Sequence, residues 1–525
     1  MDVHITLTTI DYAVIASYIV AVLTLGLWVS FRKEHSDDLF LAGRSLGWGS
    51  IGLSIFGTNV SPAMMISSCS IAYTSGMVAA NFEWLAWLCL LLFAMVFLPH
   101  YLNTQISTMP EFMSRRYGEG CRIFVSWYTL FATVWIWIGG TLFVGGLLLG
   151  QITGWPLWMS VVFLAVMATS FTVTGGLAAV VITDAFQSIL MIGVSAALAV
   201  TAFVKVGSLQ HLIESVPPEY WKLFRSSHDS TFPWHAVVLG YPVMGVWFWC
   251  TDQTIVQRAL GGRDLRQGQL GAVFVAFLKI ITPFIFFMPG ILCKVLHPNL
   301  EDPTTAYMTM VSNYMPVGVV GLIAAVLMAA SITTLNSGLN SLSTVFTLDI
   351  YRKHIRRRAT PRELLWTGRI VAAMAAAVGI GIALAFNYAL KYIDLFSMGH
   401  SMIGFLAPSM ASVFLVGILW RRATSTAALL TLILGTCASL TVGVLYLFVF
   451  PAAPFWPHFL LLSFYLFVGL TAFMIIVSCV TKKSPAENDL PSIASSYDHG
   501  HSSKAVWIWW AIVAVMMVIL FLIFN

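Results

Sequence analysis

Apolar segments of about 20 residues, the length a helix needs to cross a bilayer core, recur along the chain between short polar connectors. The pattern predicts fourteen spans, at 11–31, 47–73, 77–102, 122–150, 156–175, 178–204, 236–258, 267–293, 317–350, 364–387, 392–419, 425–449, 456–480 and 505–524. Two of them are not uniformly apolar. In 52–65 (GLSIFGTNVSPAMM) the run is interrupted by Gly57, Asn59 and Pro62. Proline removes a backbone donor and glycine weakens the helix, so an unwound turn is expected there. Irregular backbone at membrane depth persists only where it is buried in protein or lines a wet cavity. Its freed carbonyls are hard oxygen ligands, suited to a desolvated Na⁺. In 330–344 (ASITTLNSGLNSLST), Thr333, Asn336, Ser337, Asn340, Ser341 and Thr344 fall at helical spacing and form one polar stripe. Such a stripe must face protein or water, not lipid. A helix break and a row of hydroxyls together form the pattern of an ion site.

Composition sharpens this picture. Hydrophobic residues are 59% of the 525 and charged residues 9%, with mean hydropathy +0.86. A soluble fold cannot hide that much apolar surface, so the chain reads as an all-α polytopic membrane protein. Residues 1–10 lack a basic n-region, so no cleaved signal peptide is expected. Lys and Arg set the orientation: twenty lie in alternate connectors (Arg32 to Arg44, Arg115 to Arg122, Arg258 to Arg266, Arg352 to Arg362, Arg421 and Arg422, Lys482 to Lys504). The opposite connectors hold five, at Lys205, Lys222, Arg225, Lys294 and Lys391. The richer side is then cytoplasmic and both termini face outward. The net charge of +5 sits at helix ends and is no nucleic-acid signal. The seven cysteines have no paired spacing, which points to neither a disulfide framework nor a zinc site.

The connectors divide the chain. Residues 1–46 form an extra helix and a cytoplasmic linker, and 205–235, with Pro217, Pro218 and Pro233, an external loop carrying a short helix. Residues 302–315 read in the same way. Two flanking helices (421–480), a polar cytoplasmic linker (481–504) and a last helix (505–525) with Trp507, Trp509 and Trp510 at its interface complete the chain. Internal repetition is positional: the break near Gly57 has a counterpart at Gly245 and the WFWCTDQ run, five spans later.

Six collinear stretches carry a family resemblance: LAGRSLGWGSIGLSIFGTNVS at 41–61, FEW at 82–84, TMPEFMSRRYG at 108–118, TGGLAAVVITDAFQ at 174–187, WFWCTDQTIVQRAL at 247–260 and NSLSTVFTLDIYRK at 340–353. In order and spacing they resemble the sodium:solute symporter family, and within it the sodium–sugar cotransporter branch. The resemblance implies a LeuT-like core of two inverted five-helix repeats, here 47–204 and 236–420, plus flanking helices, with alternating access driven by Na⁺. It also implies a sodium site at the carbonyls of Gly57, Val60 and Ala330 and the hydroxyls of Thr333 and Thr334. Hydroxyls in membrane helices can instead simply bond back to their own backbone.

Asp184 lies within an apolar span, where a charge costs about 2.5–3.5 kcal/mol even on lenient scales, so it is a functional candidate. The resemblance marks it for a second sodium site with Thr333, Asn336 and Ser337, although Asn336 stands where two-sodium members carry a hydroxyl. A local hydrogen-bonding role for Asp184 is the alternative. The implied solute pocket contains Asn59, Glu83, Trp249 and Lys279, of the residue types kept by sugar-transporting members. A carboxylate and an ammonium supply acceptors and donors for vicinal hydroxyls, and an aromatic face stacks on a sugar ring. Glu83 and Lys279 can equally be a structural ion pair. Met64, Phe248 and His400 depart from the sugar pattern. His400 is either a proton relay or a satisfied side chain in a polar pocket.

The expected activity is sodium-coupled import of a small neutral sugar or polyol across the plasma membrane, with Na⁺ as the coupling ion and the lipid bilayer as surroundings. A sugar acid, amino acid or monocarboxylate is the alternative solute, although 123–150 carries no Arg to hold a carboxylate. An enzyme is not expected, since no HExxH or nucleophile–base constellation is present. A transporter-like sensor would need a cytoplasmic signalling domain, and the linkers are too short for one.

Overall fold

The computed structural model describes residues 7–30, 42–229, 231–389, 395–450, 453, 455–482 and 504–525. Regular structure among them is helical; two isolated backbone bridges, Leu46 to Gly262 and Arg225 to Pro233, stand in place of strands. The first elements are α1 (Thr9–Ser30), α2 (Trp48–Asn59), α3 (Pro62–Ser75), α4 (81–103), α5 (Met109–Tyr117), α6 (Glu119–Thr153) and α7 (Leu157–Val206). Then follow α8 (Trp234–Gly245), running on through a π turn at Val246–Thr251, α9 (Gln253–Leu260), α10 (Leu265–Leu296), α11 (Ala306–Tyr314) and α12 (Val319–Ile355). The chain ends with α13 (Pro361–Ala389), α14 (Leu395–Leu419), α15 (Ser425–Val444), α16 (Phe459–Val480) and α17 (Lys504–Ile523). Among the described residues, ten helical runs are long and apolar enough to cross a membrane.

Both expected interruptions are present, and each restarts with its own cap. Val60 has extended backbone (φ −84°, ψ 93°), and α3 begins with Pro62 at its first position and Ser61 accepting the Met64 amide. Asp252 is likewise extended and accepts the Thr254 amide at 2.7 Å to open α9. The spans expected at 156–175 and 178–204 differ from the expectation: they form one continuous 50-residue helix, α7. The sequence between them, at 174–179, contains no proline to stop the helix. The linkers at 31–41 and 483–503, with Arg32, Lys33 and Lys483, lie outside the described residues, as does Lys391.

α12 lies at the centre, packed on α6, α7 and α13 and also on α2 and α9. Its N-terminus is capped from α1: Asp11 accepts the amides of Gly318 and Gly321, each at 2.8 Å. The loop after α7 contains the expected short helix, Leu209–Glu214, and a turn, Pro218–Trp221. That loop rests on α3 through Tyr220, whose hydroxyl donates to the carbonyls of Tyr73 and Thr74, both at 3.0 Å. A Cβ at Gly76 (φ +68°) would meet the Tyr220 backbone at 2.4 Å, so only glycine fits there. Leu223 donates to the Phe524 carbonyl at 2.9 Å, placing the end of α17 on the same face. On the other face Arg116 donates to the carbonyls of Gly417, Trp420 and Ala423. Arg116, Arg122 and Arg258, counted among the connector charges, are all buried. Each has acceptors from packed neighbours, which a connector would lack.

Candidate functional site

At the end of α2 the normal helical donors are diverted. The Ser61 amide goes to the Asn59 carbonyl at 3.1 Å rather than to Gly57, and the Met64 amide goes to the Ser61 hydroxyl at 3.3 Å rather than to Val60. Pro62 has no amide to offer Thr58, whose carbonyl takes the Thr334 hydroxyl at 3.4 Å instead. The Thr58 hydroxyl lies 3.1 Å from that of Ser337. The end of α2 therefore meets α12 at the polar stripe, whose six members are all buried. The Thr333 hydroxyl is buried without a hydrogen-bond partner among the described residues. An unpartnered hydroxyl beside diverted carbonyls has the donor set for a small hard cation such as Na⁺. Ala330 is buried one turn before Thr334 on the same helix.

The second group of residues converges less simply. Asp184, on α7, accepts from Ser54 at 2.7 Å and from Arg258 at 3.2 Å. Ser337 accepts from Arg258, and the Asn336 side-chain oxygen accepts from Thr172 at 3.2 Å. Arg258 was not a site candidate from sequence. The signal for it was Asp184 itself, because a carboxylate in an apolar span needs a cationic partner.

The solute candidates do converge. Lys279, on α10, pairs with Glu83 on α4 and donates to the Asn59 side-chain oxygen next to the helix break. Its ammonium stands 5.3 Å from the Trp249 ring centre. A cavity of about 200 Å³ is lined by Asn59, Met64, Glu83, Phe248, Thr334 and His400, with Ser67, Trp137 and Phe396 among other walls. A second, of about 90 Å³, adjoins it through Asn59, Glu83, Phe248 and His400 and adds Tyr241 and Trp249. Lys279 does not line either; it acts from behind Glu83 and Asn59. His400 donates from Nδ1 to the Phe396 carbonyl at 2.9 Å, stacks on Phe396 at 4.1 Å and meets Phe82 edge-on at 4.6 Å. That is a packed, hydrogen-bonded ring. Phe248 packs against Trp249 at 4.7 Å and Trp137 at 5.4 Å, forming an aromatic floor. Trp137, which sequence reasoning missed, also donates to Asp252 at 3.1 Å. It sits in the π turn Thr133–Gly140, as Phe248 and Trp249 sit in that at Val246–Thr251. Such turns re-aim side chains at functional sites, and hydropathy patterning does not report them.

A family model described as the sodium:solute symporter family matches residues 39–435. The chain belongs to that family. The symporter is 34% identical over 488 residues to a sodium/mannose cotransporter of Bos taurus, covering 85% of this chain and 81% of that protein. A sodium/myo-inositol cotransporter 2 of Oryctolagus cuniculus is 32% identical, covering 81% of this chain and 68% of that one. Among solved structures, a substrate-bound, outward-open Na⁺-coupled sialic acid symporter matches with a TM-score of 0.78 at 23% identity, over 91% of this chain and 99% of that one. Mhp1, a nucleobase-cation-symport-1 family transporter in a closed conformation, matches with a TM-score of 0.53 at 16% identity, over 88% and 98%. The symporter thus has the all-helical LeuT-like fold of a multi-pass membrane transporter and is not an enzyme.

Proposed function

We propose that this symporter uses an inward Na⁺ gradient to import a small neutral polyhydroxylated solute, a sugar or polyol, across the plasma membrane by alternating access. The observation that carries the solute reading is the charge balance of the cavity. Glu83 is its charged wall residue among those described, and its partner Lys279 cancels it from behind. Among the described residues no Lys or Arg lines the cavity to hold a sugar acid or a monocarboxylate, while Asn59, Ser61, Ser67 and Thr141 offer neutral donors and acceptors for hydroxyls. Both cavities lie below the range for drug-sized ligands, which suits one ring. The relatives named for mannose and myo-inositol transport support the same class.

Na⁺ would be held by the carbonyls of Gly57, Val60 and Ala330 and the hydroxyls of Thr333 and Thr334. Thr334 lines the solute cavity as well, so ion and solute share one wall. The loops at 207–233 and 298–318 lie on the face of the N-terminal end of α1 and the C-terminal end of α17, and the basic connectors on the other. The excess of Lys and Arg makes the latter cytoplasmic and leaves both termini outside. The test is uptake of labelled mannose, myo-inositol, glucose, sialic acid and proline into proteoliposomes with and without a Na⁺ gradient. Gradient-dependent, saturable uptake of a sugar or polyol is expected. Uptake of only the carboxylated compounds would overturn the solute reading.

A further inference from the structure

Arg258 lies on α9, just past the break at Asp252, and its side chain is 1% exposed. Its guanidinium is spread over acceptors from four helices. Nε donates to the Ser54 hydroxyl of α2 at 2.8 Å, and Nη2 donates to Asp184 of α7 at 3.2 Å and to the Ser337 hydroxyl of α12. Nη1 donates to the Thr254 carbonyl within α9. Ser54 closes the ring by donating to the same Asp184 oxygen at 2.7 Å.

Asp184, Ser337, Asn336 and Thr333 are the side chains marked for a second sodium ion. One oxygen of Asp184, Oδ2, and the Ser337 hydroxyl are committed to this guanidinium, and the Asn336 oxygen takes the Thr172 hydroxyl at 3.2 Å. What is left without a partner among the described residues is the second oxygen of Asp184, Oδ1, and the Thr333 hydroxyl, which also belongs to the first sodium site. A second Na⁺ would have to settle beside a positive charge that is shielded from water, where like charges repel far more strongly than in solvent. Arginine does not lose its proton under any ordinary condition, so the repulsion cannot be relieved by neutralising it. Two uncommitted oxygens beside a fixed guanidinium do not fit a second ion while Arg258 is in place.

We propose that Arg258 is a tethered cation that fills the second sodium position, so that the symporter binds and couples one Na⁺ per transport cycle. A fixed guanidinium compensates Asp184 as an ion would, but it crosses no gradient and contributes nothing to the driving force. This inference rests on the sodium-symport reading and is independent of which solute is carried.

The experiment counts sodium ions on the purified full-length protein with no solute present, by equilibrium binding of ²²Na⁺. One saturable ion per chain is expected for the wild type and for Arg258→Lys, which keeps a cation. Arg258→Met, which removes the guanidinium from Asp184 and Ser337, is expected to bind two ions and to show a second Na⁺-dependent step in thermal stabilisation. The Arg258→Met, Asp184→Asn double variant, with neither charge, is expected to return to one. Two ions on the wild type overturn the proposal, as does a folded Arg258→Met protein that still binds one. If Arg258→Met does not fold, the wild-type count decides alone. A wild-type count of zero would instead overturn the sodium-symport reading.

Discussion

Thr334 and Lys279 show how much depends on single atoms in this site. The Thr334 hydroxyl reaches from α12 to the Thr58 carbonyl at the broken end of α2. Loss of one oxygen from a desolvated ion removes an interaction of about 1.5 kcal/mol or more, equivalent to about tenfold in affinity. Thr334→Ala is accordingly expected to raise the Na⁺ concentration for half-maximal uptake about tenfold. Ser343→Ala, whose hydroxyl bonds back to the Asn340 carbonyl at 3.0 Å, should leave it unchanged. Equal Na⁺ dependence in the two variants would misplace the ion. Lys279 and Glu83 are each buried against the other, and removing one partner strands a charge at a cost of about 3–5 kcal/mol. Lys279→Ala and Glu83→Gln are expected to abolish saturable solute uptake in protein that still binds Na⁺. Normal transport by Lys279→Ala would reduce the pair to a structural one.

Whole helices in this fold meet through small residues, because between helices in lipid close packing replaces the hydrophobic drive. Gly290 on α10 faces α3 so closely that a Cβ would lie 2.1 Å from the Cys69 carbonyl oxygen. The obstacle is backbone, which cannot rotate away. Gly290→Ala is expected to destabilise the protein by about 1–3 kcal/mol or more, read as a lower thermal midpoint in detergent. Gly193, exposed on α7 with open space around its Cα, provides the contrast. Gly193→Ala should be neutral or stabilise by up to about 1 kcal/mol, since it only restricts the unfolded chain. Equal midpoints for the two variants would mean that α3 and α10 do not touch in this way.

Over the whole molecule, the loop between α7 and α8 ties three distant parts together: it holds α3 through Tyr220, α17 through Leu223 and the cap of α16 through Thr231, whose carbonyl lies 2.9 Å from His458 Nε2. Asp229 organises the loop. Burial alone would raise its pKa, but the amides of Phe232 and Thr231, at 2.8 and 2.9 Å, and then Arg225 outweigh burial and hold it below the ordinary value of 3.8. A carboxylate depressed in the folded state stabilises fully above its unfolded pKa, about 3.9, and that stabilisation is lost as pH falls through the folded value. Hydrogen exchange at the Thr231 and Phe232 amides, corrected for intrinsic rate, is expected to accelerate below about pH 4 in the wild type. In Asp229→Asn that pH dependence should vanish. Unchanged protection down to pH 3 would remove Asp229 from this role.

Hydropathy and helical periodicity were enough to reveal an all-helical membrane protein, the break before Pro62 and the polar stripe of α12, because each of these is local. Proline and glycine disrupt the helix wherever they occur, and a row of hydroxyls on one face cannot lie against lipid. What depended on distant partners was not legible. Arg258 looked like a connector charge until α9 turned inward at Asp252 and set it between Ser54, Asp184 and Ser337, residues separated from it by 204, 74 and 79 positions. Lys279 was read as a cavity wall, yet it supports Glu83 and Asn59 from behind. The aiming of Trp137 by a π turn likewise follows from packing, because lipid-soluble helices share one apolar code and only their neighbours decide where each polar side chain finds its partner.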